Sequence, residues 1–159
     1  IRRFDPVRRV LTHAAGERLP RAYVALMEEV PAEIRFGSCA AAVALQRQVI
    51  VPDIAKDPFW EHRREAAIRN GLRACWSTPI VSANGAVLGT FATYLRHTGM
   101  PSRRDVELMG RMTQLARIAI ERDAAETALR ESERRYRGLF DNVVEGVYQV
   151  TREGVLLSA

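Results

Sequence analysis

The sequence predicts an α+β fold that closes with a long helix, and two observations carry that expectation. Residues 79–83 and 86–94 form apolar runs on either side of Asn84-Gly85. Two strands around Asn-Gly make a hairpin, with a type I′ turn expected because both turn residues tolerate positive φ. From Ser102 onward the period changes, and Leu108, Met112, Leu115 and Ala119 recur at alternating steps of four and three, the spacing of a helix face. A chain of 159 residues, 47% of them hydrophobic, is long enough for a real core, since about 150 residues bury roughly 70% of the unfolded surface.

The other elements follow in order. Residues 1–11 read as two short strands joined by a turn at Asp5-Pro6. Leu19-Pro20 opens a short helix through Tyr23, Leu26 and Met27, which ends before Pro31 because a pre-proline residue avoids the helical region. Ser38 is expected as an N-cap, and the alanines at 40–42 as a close-packing helix face. Residues 48–53 are too short and too β-branched for a helix and read as a buried strand. Asp57-Pro58 starts the next helix and Asn70-Gly71 ends it, glycine supplying a left-handed cap.

Pro101-Ser102, with Asp105 three residues on, is the capping signature of the long helix. Met109, Ala116 and Ile120 widen its apolar stripe, so the first half is expected to pack on the sheet. Beyond Ile120 the seam thins, running through Arg122 and Glu126 to Leu129 and Tyr136. So narrow a stripe is unstable alone and calls for a partner helix. Gly138 is expected to break the helix, and Gly146 and Gly154 to punctuate strand-like runs over 143–157.

Composition excludes several classes. The net charge is +5, but all 24 basic residues except Lys56 are arginine, dispersed among 19 acids. That pattern fits a coding bias better than a nucleic-acid surface, which would gather basic residues with interleaved aromatics. Cys39 and Cys75 have no ligand spacing to His13, His62 or His97, so no metal site is expected. No apolar run approaches a membrane span, and no membrane contact is expected. Few cysteines and no signal segment fit a reducing, cytoplasmic compartment. The start at Ile1 and the stop within an apolar run suggest a piece cut from a longer protein.

Several segments together resemble the GAF domain, in the subgroup found in bacterial multidomain sensors. They are Gly37-Ser38-Cys39, residues 49–54, Asp57-Pro58-Phe59-Trp60, residues 71–80 and residues 85–91. The resemblance covers residues 1–120, N-terminally trimmed relative to the family. Residues 121–138 look like a signalling linker helix, and residues 139–159 resemble the opening of a PAS domain.

The resemblance implies a central antiparallel sheet flanked by helices, with a small-molecule pocket between them. It also implies a parallel homodimer through the C-terminal helix at Leu108, Met112, Leu115, Ala119, Leu129 and Tyr136, and PAS and output domains downstream in cis. The implied ligand contacts are Ser38, Cys39, Asp53, Trp60, Arg73, Cys75, Trp76, Ser77 and Phe91, for an unidentified ligand and no named cofactor.

Each of these residues also has a plain alternative. Ser38 and Cys39 read equally as a cap and a small buried residue, the tryptophans as core, Asp53 as the cap of its own turn and Arg73 as a solvated surface residue. Where the family's motif is commonly followed by glycine, this chain has Ala40, whose methyl narrows backbone approach to a ligand.

The expected role is a non-catalytic sensory module of a histidine kinase. A diguanylate cyclase or phosphodiesterase module and a ligand-free dimerisation spacer are the alternatives. Free methionine-(R)-sulfoxide reductases are also GAF proteins, but the cysteine they carry after the stretch matching 53–57 is missing here. No histidine adjoins either cysteine, as covalent bilin attachment would require.

Overall fold

Short strands with local turn chemistry build two meanders, and a glycine joins them into one sheet. The computed structural model describes residues 1–16, 18–141, 149–150 and 156–158, and divides into two units, Ile1–Ile120 and Glu121–Ala159. The first meander is β1 (Arg2–Asp5), β2 (Val10–His13) and β3 (Glu29–Pro31), with α1 (Arg21–Leu26) between β2 and β3. The second is β4 (Val49–Val51), β5 (Ala74–Val81) and β6 (Val87–Leu95), preceded by α2 (Ser38–Leu45) and carrying α3 (Arg64–Arg69) between β4 and β5. The sheet order is β3-β2-β1-β6-β5-β4, antiparallel throughout.

The expected strand pair over residues 1–11 is present. Its turn is held by the Asp5 carboxylate, which accepts from the backbone N–H of Val7 at 2.9 Å and of Arg8 at 3.0 Å. The junction of the meanders is tighter. Arg3 pairs with Gly89, and a Cβ at Gly89 would lie 2.1 Å from the Arg2 carbonyl oxygen. Only glycine lets β1 and β6 approach this closely.

α2 packs over the sheet with Ser38 to Val43 buried and only its last two residues reaching the surface. Ala40, Ala41 and Ala42 are all inaccessible to solvent. Its N-cap is Gly37, with φ 108°, and Ser38 is the first helical residue rather than the cap. The chain turns against the Trp60 ring at Gly37, a conformation that L-residues avoid, so the cap position passes to glycine. α2 ends on Gln46 at φ 50°.

The helix expected from Asp57 to Asn70 is two elements. Asp57 accepts from the Phe59 N–H at 2.9 Å and caps a single 3-10 turn, Pro58–Trp60; α3 starts only at Arg64. Burial of Trp60 turns the chain into the core there, which a straight helix would not allow. Gly71, at φ 77°, closes α3 as expected.

The hairpin is present, but its turn differs from type I′. Ser82 N–H donates to the Ala86 carbonyl at 2.9 Å and Gly85 N–H to the Ser82 carbonyl at 3.0 Å, so three residues form the loop. Only Gly85 among them takes positive φ, at 84°. The Asn84 carboxamide is instead engaged by the Ser82 hydroxyl, which favours this wider loop.

The long helix is α4 (Arg103–Asp141). Its capping box is complete: Ser102 N–H and Oγ donate to Asp105 Oδ2 at 2.8 and 2.7 Å, and Asp105 N–H donates back to Ser102 Oγ at 3.2 Å. Met109 and Ala116 are buried, with Met112 and Ile120 half-buried. Leu108, Leu115, Ala119, Leu129 and Tyr136 are exposed. The stripe read as one surface is therefore two: a buried face at Met109 and Ala116 and an exposed one. Gly138 does not break the helix, since glycine costs only about 1 kcal/mol against alanine inside a helix.

The second unit also holds β7 (Gln149–Val150) and β8 (Leu156–Ser158), an antiparallel pair. Gly146 and Gly154 lie outside the described residues. No helix among the described residues is long and apolar enough to cross a membrane.

Candidate functional site

Strand alternation sets the chemistry of β5. Cys75 and Ser77 share one face while Trp76 takes the other. α2 lies over the Cys75–Ser77 face, and its first turn delivers Cys39. The Cys39 thiol is 3.4 Å from Ser77 Oγ and 3.7 Å from the Tyr94 hydroxyl, while the Cys75 thiol is 3.6 Å from the same Ser77 oxygen. Tyr94 stands opposite Cys75 across the β5–β6 ladder. Tyr23 and Trp60 meet the Tyr94 ring edge-on, with centroids 5.8 and 6.3 Å away.

The Tyr23 hydroxyl lies beside that of Tyr94 and the Ser38 hydroxyl beside the Cys75 thiol, so the polar groups of this nucleus are buried against one another. The two thiols titrate apart. Cys39 is held below the ordinary thiol range by the neighbouring Cys75 thiol first, then by the Arg2 charge and the hydroxyls of Ser77 and Tyr94, against the effect of burial. Burial pushes Cys75 up, and the Cys39 charge pushes it further. Loss of hydration likewise raises the Tyr23 and Tyr94 hydroxyls.

A cavity of about 220 Å³ opens beside Cys39 and Tyr94, with Leu72 and Ala92 on its apolar side and Arg2 and His13 on its polar side. Ala40 does not line it, so the methyl at that position does not narrow the cavity. Burial holds the His13 imidazole below its usual range, and the Arg2 charge adds to this.

The structure brings Ser38, Cys39, Cys75 and Ser77 together, with Trp60 edge-on behind Tyr94. Four other sequence candidates lie elsewhere. The Asp53 carboxylate accepts from Ala55 N–H at 3.0 Å and pairs with Lys56 at 3.6 Å, capping its own turn. Trp76 Nε1 donates to the Gly99 carbonyl at 3.2 Å from the far face of β5. Phe91 falls on the face opposite Ala92 and Tyr94 by alternation. Arg73 uses its backbone to tie loops, donating to Leu95 at 2.7 Å and accepting from Ile54 at 2.8 Å.

Arg2, His13, Tyr94 and Arg96 line the cavity but escape a motif-based reading. Only the register of β6 against β5 hints at Tyr94. Among the described residues, no group of three or more His, Cys, Asp or Glu gathers to hold a metal.

A six-stranded antiparallel sheet with a buried helix over a small cavity is the frame of a sensory α+β module, and comparison with known proteins gives the family. Residues 3–121 match the family described as the GAF domain, and the chain belongs to it. A methyl sulfide methyltransferase-associated sensor from Methanosarcina acetivorans is 38% identical over 152 residues, which is 96% of this chain. The chain spans only 15% of that relative's length.

Among solved structures, a domain assigned to a two-component sensor histidine kinase of Sinorhizobium meliloti superposes with a TM-score of 0.64 at 19% identity, covering 81% of each chain. The free methionine-R-sulfoxide reductase of Neisseria meningitidis, in complex with its substrate, superposes with a TM-score of 0.58 at 21% identity, covering 77% of this chain and 67% of that one. At such identities the likeness is one of fold.

Proposed function

We propose that the chain is the sensory module of a multidomain signalling protein with a histidine kinase output. A small molecule occupies the cavity beside Cys39, and its presence resets α4. Two α4 helices pair in a parallel dimer along Leu108, Leu115, Leu129 and Tyr136. The change then passes through residues 121–138 to a PAS domain that begins at 139–159, and from there to the output domain. The sensor relative, and the likeness in fold to a domain from a two-component sensor histidine kinase protein, support this reading.

One observation carries it. Cys39 lines the cavity and contacts Ser77 of β5, while Thr78, Pro79 and Val81 of the same strand share a groove with Gly110, Thr113 and Gln114 of α4. An occupant that presses on Cys39 therefore acts one strand away from the helix that leaves the domain. The relay works only to the extent that the ligand binds the two helix arrangements with different affinity.

Native mass spectrometry of the purified 159-residue chain, with a thermal-shift screen of small metabolites, tests the reading. A retained small molecule, or a compound that raises the melting temperature, is expected. No adduct and no shift across the screen would leave the module a dimerisation spacer.

A further inference from the structure

We infer that the cavity beside Cys39 takes a small organic anion, with a carboxylate or phosphate head at Arg2 and a short apolar body against Leu72 and Ala92. This rests on the sensory reading above and names the ligand class for the same cavity.

Arg2 is 5% exposed and lines the cavity. A guanidinium offers five N–H donors. One of them, on Nη1, donates to the Met27 carbonyl at 2.6 Å. Buried charges are ordinarily paired, yet among the described residues no carboxylate lines this cavity, whereas Arg18 and Arg96 open onto it with Arg2. The planar fork of a guanidinium matches carboxylate or phosphate oxygens two at a time. Among the described residues that line it, three guanidiniums outnumber the one Cys39 thiolate.

At about 220 Å³ the cavity has room for a short-chain anion. Leu19, Leu72 and Ala92 give the body of such a ligand an apolar wall.

Calorimetric titration of the 159-residue chain with four probes that share a butyl body tests the assignment: butyrate, butyl phosphate, butylammonium and 1-butanol. At least one of the two anions is expected to bind while the cation and the alcohol do not, and the tighter anion assigns the head group. Arg96→Gln, at an exposed position, is expected to weaken that anion roughly five- to tenfold. Arg2→Gln is expected to abolish binding, with circular dichroism reporting whether the variant folds. If it does not fold, Arg96→Gln decides.

Failure of both anions to bind, or an Arg96→Gln variant with unchanged affinity, overturns the assignment. Binding of butanol or butylammonium in their place also overturns it, while leaving the sensory reading intact. The sensory reading itself fails only on the absence of any ligand in native mass spectrometry and thermal-shift screening.

Discussion

Two thiols that share one serine hydroxyl are driven to opposite protonation, and this is the sharpest chemical feature of the domain. Cys39 faces the Arg2 charge and accepts from its neighbours, while Cys75 lies deeper, and burial refuses it a charge. Ultraviolet titration of the folded chain is expected to show one thiolate forming below the ordinary thiol value of about 8.5 and the second forming well above it. Cys39→Ser should remove the low step and Arg2→Gln should raise it. A single step at the ordinary value in the wild type would contradict the assignment.

Stability follows with opposite signs. The depressed Cys39 value stabilises the fold fully above the unfolded thiol value, and that contribution is lost as pH falls toward the folded one. The raised Cys75 value leaves stability intact below the unfolded value and withdraws it as pH rises toward the folded one. At this scale the motif around Gly37-Ser38-Cys39 was legible. Arg2 was not, because nothing local marks it among so many arginines; the pairing of β1 with β6 alone turns it inward.

At the scale of elements, glycine and non-glycine residues exchange their expected places. Gly89 looks like a flaw in a strand, yet it is the contact that joins the two meanders. Gly89→Ala is expected to lower stability by about 2–3 kcal/mol or more, read by chemical denaturation, because a methyl meets the Arg2 backbone. Gln46 ends α2 in the left-handed region, where a side chain is unfavourable. Gln46→Gly should therefore raise stability by about 0.5–1 kcal/mol; a loss would show that the Gln46 side chain is needed for packing. Ser102→Ala removes the capping box of α4 and is expected to cost about 1 kcal/mol in the same assay.

The capping box, the Asn-Gly hairpin and the β4 strand were readable because each has a local signature. The three-residue loop at Ser82–Ala86 and the split of residues 57–69 were not. The first depends on the Ser82–Asn84 contact, the second on where the core takes the Trp60 ring.

Across the whole molecule, the sheet and the first turn of α2 border a small cavity, and among the described residues α4 is the one element of the first unit that continues into the second. The period change at Ser102 announced that helix. Its division into a buried and an exposed face became visible only when Met109 and Ala116 were seen to take the inner positions. Leu108, Leu115, Leu129 and Tyr136 are 52%, 59%, 62% and 64% exposed, a heptad row interrupted by Arg122. Exposed i,i+4 pairs such as Arg122–Glu126 and Arg130–Glu126 help the helix by only about 0.3–0.5 kcal/mol each. In the relay proposed above, a second copy would bind along this row.

Sedimentation of the wild-type chain beside Leu115→Glu and Leu129→Glu tests that claim most directly. The account predicts twice the 17.9 kDa chain mass for the wild type and a shift toward monomer in both variants. A monomeric wild type whose mass neither substitution changes would contradict it.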